Sequence, residues 1–264
     1  CKRIKGETDI IEYLDLSSGF ISSQDLLILS KCIQSYQSTH NGGHSLVEID
    51  LSSNQLCGVN NRGEGNYDPD GFITFCNVLQ SSRIIKTLCL DRNFLSIPGC
   101  ASISNLLINQ SSLTQLSLKK CKISNDGGIE LSKGLAANRS LTFLDLSGNM
   151  IYSIGLQHIF RSLNENKRSE LKLLDLSSNA IEFEGCRYIT TFLRDNNSLR
   201  ALILDDNYLG AISSAAETQT SSSVPSENSS RDVEDKNVNS VDLIAEMLCV
   251  TKKLAHLRYF IIII

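Results

Sequence analysis

Two histidines four residues apart, in His40-Asn-Gly-Gly-His44, have the spacing of a zinc-ligand pair, and nine cysteines are spread along the 264-residue chain. A structural zinc needs about four such ligands, and no second pair accompanies these histidines, so the stretch reads as a solvated loop. Cys1, Cys32, Cys57, Cys76, Cys89, Cys100, Cys121, Cys186 and Cys249 are odd in number and nowhere closer than eleven residues. That suits neither a disulfide framework nor a metal cluster. Most of them fall where the pattern described below calls for a small buried residue, which points to a reduced, intracellular protein. No glycine-rich phosphate loop, nucleophile elbow or acid pair with a partner histidine is present. The chain is therefore read as a non-enzyme without cofactor or metal.

Charge and hydropathy exclude two further classes. Twenty-five Lys and Arg against 29 Asp and Glu leave a net charge of −4, so there is no general basic field to hold nucleic acid. The densest apolar run, 259–264, is far short of the roughly 20 residues that a spanning helix needs, and no membrane partner is expected. Cys1 is not an initiator methionine, and the chain reads as a fragment.

The remaining polar residues with a regular spacing are asparagines, and the elements that position them recur. In Leu141-Thr-Phe-Leu-Asp-Leu-Ser-Gly-Asn-Met-Ile151, Leu144 and Leu146 alternate with Phe143, Asp145 and Ser147, the period of a short strand. Then Leu156, Ile159, Phe160 and Leu163 follow at helical spacing and stop at a polar run from Asn164 to Lys167. This strand, turn and amphipathic helix, about 28 residues long, occurs about eight times, starting at Ile11, Leu46, Ile85, Leu113, Leu141, Leu171, Leu199 and Leu254. Two spacings are too long. Between Leu46 and Ile85 the surplus lies in a loop at 57–70, rich in Gly, Asn and Asp; between Leu199 and Leu254 it lies in a Ser- and Glu-rich insertion at 211–239, expected to be disordered. The whole chain, 1–264, is thus one domain.

One such unit cannot bury its own apolar stripe and must stack on its neighbours, which makes the strands parallel and the fold an α/β solenoid. Where each strand ends, the chain turns with backbone groups facing the interior, and a short amide can both donate to and accept from them. Asn54, Asn93, Asn149, Asn179 and Asn207 should form such a buried ladder, with Cys121 in the same slot.

The phrase L-x-x-L-x-L-x-x-N-x-L resembles the leucine-rich repeat, and a 28-residue unit with a full helix resembles its ribonuclease-inhibitor-like class. Leu46/Ile49/Leu51/Asn54/Leu56, Ile85/Leu88/Leu90/Asn93/Leu95, Leu113/Leu116/Leu118/Cys121/Ile123, Leu141/Leu144/Leu146/Asn149/Ile151, Leu171/Leu174/Leu176/Asn179/Ile181 and Leu199/Leu202/Leu204/Asn207/Leu209 carry it. Gly19 replaces the Asn in the first unit; Tyr259 and Ile262 depart from the pattern in the last. The resemblance implies a right-handed horseshoe arc with parallel strands on a concave face, helices on the convex face, and a protein partner on the concave surface. It also implies a second reading, a GTPase-activating protein of the Ran-activator type, and leaves cytoplasm, nucleus and cilium open as compartments. Sequons at Asn109, Asn138 and Asn196 precede strands and suit the helix-to-strand turn better than glycosylation; a fourth, Asn228, lies in the insertion together with Ser229, a candidate phosphorylation site.

The function should then lie on the strand positions that face away from the core. Strands about 4.8 Å apart make Asp145 and Asp175 neighbours, and Phe143 and Leu173 likewise. The aspartates also suit a plain consensus role, and neighbours long enough to cover the apolar residues would remove their meaning. On the functional reading, Phe143, Leu173 and Ile203 form an apolar strip beside Asp145 and Asp175, with Lys119 at its flank, and a protein partner docks there.

Overall fold

The computed structural model describes residues 12–39, 46–60, 62–209 and 261–263. Eight strands, β1 (Tyr13–Asp15), β2 (Glu48–Asp50), β3 (Thr87–Cys89), β4 (Gln115–Ser117), β5 (Phe143–Asp145), β6 (Leu173–Asp175), β7 (Ala201–Ile203) and β8 (Ile261–Ile263), form one parallel sheet in chain order. Between them run α1 (Ser23–Thr39), α2 (Asp70–Gln80), α3 (Ser96–Asn109), α4 (Asn125–Ala137), α5 (Ser153–Glu165) and α6 (Gly185–Asp195), each packed beside the next.

The middle residue of each strand from β2 to β7 is a buried Leu or Ile, and the residues on either side face out. In register, Tyr13, Glu48, Thr87, Gln115, Phe143, Leu173 and Ala201 form one row across the sheet, and Asp15, Asp50, Cys89, Ser117, Asp145, Asp175 and Ile203 the next. Beneath them the core is continuous from Leu26 to Leu209. In the Leu141 unit, Leu144, Leu146, Ile151, Leu156, Ile159, Phe160 and Leu163 are all buried, and Phe160 stacks on Phe192 of the following helix at 4.1 Å. Each such side chain contributes about 1.5–3 kcal/mol. Apolar stacking between units, not any single polar contact, holds the solenoid together.

One feature departs from the expected layout. The strand beside β7 is Ile261–Ile263, five residues later than the register counted from Leu254, which would set His256 opposite Ala201. An unbroken isoleucine run carries no alternation, so nothing in it fixes which residue faces the core. The loop expected at 57–70 is closed by its own hydrogen bonds: Val59 bridges Gly65 antiparallel, and Asp68 N–H donates to the Cys57 carbonyl at 2.9 Å. At Gly58, with φ +76, a Cβ would come within 2.1 Å of the Asn66 carbonyl oxygen, so only glycine closes this turn. The insertion at 211–239 with Asn228 and Ser229, the His40 and His44 pair, and Cys1 and Cys249 lie outside the described residues.

Candidate functional site

Strand ends, not strands, hold the best-connected polar groups. Asn149 donates to the carbonyls of Leu118 and Leu146 at 2.9 and 2.8 Å, and its oxygen accepts from the amides of Cys121 and Ile123 at 2.9 and 3.0 Å. Asn54, Asn93, Asn179 and Asn207 repeat the arrangement, each donating to its own unit and to the one before, and accepting from that earlier unit. Four of the five are buried; Asn207, at the end of the row, is half-buried. Cys121 does the same work with one atom: its thiol donates to the Leu90 carbonyl at 3.1 Å and accepts from the Asn93 amide. These amides are committed to the backbone and are not presented to a ligand.

A second amide row, which the sequence only half shows, sits where helices turn back into strands. Gln110 donates to the Leu79 and Ser82 carbonyls, Asn138 to Leu107, and Asn166 to Leu135, while Asn138 and Asn196 accept from the amides of Leu141 and Leu199 at 2.8 Å. Asn138 is buried, as its structural reading requires. Asn109 is not equivalent. It is exposed, and Gln110, one residue later, holds the structural place. Two shallow hollows lie along this edge, about 400 Å³ beside Asn138 and Arg139 and about 260 Å³ beside Asn166 and Lys167.

The outward sheet face has the expected register, Phe143 opposite Leu173 and Asp145 opposite Asp175. Ile203 stands opposite Asp175, diagonal to Leu173, whose direct neighbour is Ala201. Phe143, Leu173 and Ile203 are each half-buried rather than freely exposed, and Lys119, one strand from Asp145 and nearer the strand ends, is also half-buried. The aspartates have a local job too. The Ser147 amide donates to Asp145 at 2.8 Å, the Ser177 amide and hydroxyl both donate to Asp175, and Asp15 and Asp50 hold Ser17 and Ser52 likewise. The recurring Asp-x-Ser is thus a turn device. Asp145 nonetheless has its carboxyl pKa pushed up, mainly by burial, with the charges of Asp175 and Asp91 adding to it and the Ser147 hydrogen bonds opposing it.

The other end of the same face is acidic as well: Glu48, Asp15 and Asp50 surround Tyr13, whose hydroxyl is pushed up by burial and by those carboxylates. The β1–β2 and β5–β6 parts of the face therefore each carry an aromatic residue among acids. Between them Thr87, Gln115, Cys89 and Ser117 are neutral.

The seven described cysteines are free thiols, and all but Cys32 are buried or half-buried. Burial pushes Cys57 and Cys100 up to about 12 and Cys89 up to about 11. No group of three or more His, Cys, Asp or Glu that could hold a metal ion occurs among the described residues. No helix there is long and apolar enough to cross a membrane.

Strand–helix units of about 28 residues, stacked in parallel and joined through a row of buried asparagines at the strand ends, define a leucine-rich repeat protein. A family profile described as Leucine Rich repeat matches residues 109–132 and 137–159. The chain is 35% identical to Ribonuclease inhibitor from Mus musculus over 92 residues, 34% of this chain and 20% of the relative. It is 35% identical over 113 residues to NACHT, LRR and PYD domains-containing protein 4E from Mus musculus, 39% of this chain and 12% of that protein. NACHT, LRR and PYD domains-containing protein 4C of the same organism is 28% identical over 161 residues, 60% of this chain and 14% of that protein. The chain is a leucine-rich repeat protein of the ribonuclease-inhibitor-like class. Its matches take in only a small part of these relatives' lengths.

Proposed function

We propose that this chain is a non-catalytic protein-binding module whose partner docks on the outward face of β5, β6 and β7. The observation that carries the proposal is the cluster of Phe143 and Leu173, in register, beside Asp145 and Asp175, also in register. Two carboxylates on adjacent strands repel, and burial raises the Asp145 pKa further. Such an arrangement costs stability, and a cation from a partner would relieve it. Apolar side chains rimmed by charge are the composition of interface hot spots. The partner therefore presents Lys or Arg together with an apolar residue. Lys119, on the flank, would reject a partner whose positive charge extends that far. That several relatives are themselves leucine-rich repeat proteins, one of them named an inhibitor of ribonuclease, supports binding rather than catalysis.

The test is capture of a partner from an extract by the wild-type chain and by Phe143→Ala, with mass spectrometry to identify it. Phe143→Ala should keep the melting temperature within a few degrees and weaken capture by about 2 kcal/mol. The double change Asp145→Lys and Asp175→Lys should slow association, more at low salt than at high. Unchanged capture by both, with loss on changing Arg161 and Arg187 of α5 and α6, would place binding on the helices. A GTP-hydrolysis assay with small GTPases separates the module from a GTPase activator.

A further inference from the structure

A second surface, which meets the acidic sheet face at Lys119, runs along the turns that lead from β3 and β4 into their helices. Arg92 and Lys119 are joined there by a backbone hydrogen bond of 2.7 Å, and Lys120 follows Lys119 in the chain. Lys122 places its ammonium 5.8 Å from the centre of the Phe94 ring, and Tyr67 meets the same ring edge-on at 6.2 Å. None of these four cations forms an ion pair among the described residues, unlike Lys133 with Glu130 and Lys172 with Glu170 elsewhere on the molecule. Two acids stand nearby and offset only part of this charge. Asp91 turns one carboxylate oxygen to the Ser117 hydroxyl and the Lys119 backbone amide, and Asp126 stands exposed at the start of α4 without pairing.

In a chain of net charge −4, four cations on two adjoining turns against two acids, one of the cations lying over an aromatic ring, are a local reversal of the overall field. Like charges held together raise the free energy of the unbound surface, and an anionic ligand lowers it. The aromatic pair adds apolar contact area, and Lys122 over Phe94 keeps the ring flanked by positive charge. The geometry points to this edge as a docking surface for an acidic protein segment that carries an apolar or aromatic residue. It adjoins the sheet-face site at Lys119 but carries charge of the opposite sign, where the sheet face fits a basic partner.

Fluorescence anisotropy tests it, using a labelled twelve-residue peptide of Asp and Glu with one central Phe, and single-stranded polyuridine as the competing anion. The wild-type chain should bind the peptide in a salt-sensitive manner and more tightly than the RNA. Arg92→Glu with Lys120→Glu should weaken it about tenfold or more. Arg161→Glu with Arg187→Glu, the same charge change on the helix face, should move it less than about twofold. Phe94→Ala, which alters no charge, should weaken the Phe-containing peptide and leave a peptide without Phe unaffected. Equal losses from the two charge reversals, tighter binding of polyuridine, or no peptide binding at low salt would each overturn the assignment.

Discussion

Asp145 and Asp175 stand in register on adjacent strands, each with one carboxylate oxygen held by the serine two residues on. The pair is stable enough to fold but not indifferent to protons. Burial and the neighbouring charges raise the Asp145 pKa above the ordinary 3.8. Between 3.8 and that raised value the folded chain keeps a proton that the unfolded chain has released, so stability from this group is present at low pH and is lost as pH rises. Asn in its place still accepts from Ser147 but carries no charge. Asp145→Asn should therefore melt higher than wild type at pH 7, and the gap should close as pH falls towards 3. A gap that does not vary with pH would mean that Asp145 is not strained.

The strand-end ladder makes a prediction of opposite sign. Asn149→Leu fills the space but leaves the Leu118 and Leu146 carbonyls and the Cys121 and Ile123 amides without their partner. Each buried polar group left unmade costs about 1–3 kcal/mol, some of it recovered by relaxation. The variant should lose about 2–3 kcal/mol in urea unfolding, as should Asn179→Leu. Cys121→Asn, which restores a full amide to the slot, should be neutral or gain up to about 1 kcal/mol. Wild-type stability in both leucine variants would sink the ladder.

Much of this was legible before folding because the signals are periodic. Leu144 and Leu146 alternate with Phe143 and Asp145, a side-chain period of two, and a slip by one residue would turn the apolar set outwards; the register from β1 to β7 follows. The charged edge was illegible for the opposite reason. Arg92 and Lys122 lie thirty residues apart in sequence, and only the stacking of two units brings Lys122 onto Phe94. Asn109 was misleading because two amide-bearing residues adjoin, and nothing local says that Gln110 is the one turned inwards. The Asp-x-Ser turns had a local signal, the repeated Leu-Asp-Leu-Ser, but a carboxylate at a strand position reads equally well as a solvated or binding residue.

A backbone feature common to the seven units among the described residues gave no residue-type signal at all. The eighth residue of each, Ser18, Ser53, Arg92, Lys120, Gly148, Ser178 and Asp206, lies in the left-handed region, with φ between 50 and 67°. The turn demands it, since that residue's amide must reach the next unit, as Ser53 reaches the Asp91 carbonyl at 2.7 Å. Glycine alone adopts it without strain, and Gly148 is the one glycine in the row. Ser53→Gly should therefore stabilise by up to about 1 kcal/mol. Gly148→Ala should cost about 1–2 kcal/mol, because φ is +67° and the new Cβ would come 2.6 Å from Lys120 Cγ. Thermal melts of both should move in opposite directions; a shared sign would show that the turn, not the residue, sets the conformation.

Thiol reactivity gives the last prediction. Alkylation proceeds through the thiolate, so both access and pKa limit it. Cys57, Cys76, Cys100 and Cys121 are buried thiols inside three consecutive units, and burial raises the pKa of each. Cys89 lies on the sheet face, yet burial also raises it, to about 11, against the hydrogen bond that it shares with Ser52 at 3.0 Å. Cys32, on the outer side of α1, is exposed. Iodoacetamide at pH 8 followed by peptide mass spectrometry should therefore modify Cys32 first among these residues. Cys89 should follow slowly, and the four interior thiols only when urea opens the solenoid. Because neighbouring units share one core, the interior thiols from Cys57 to Cys121 should become reactive together over one urea range. Modification of Cys100 in the native protein at the rate of Cys32 would mean that the units separate far more readily than their packing implies.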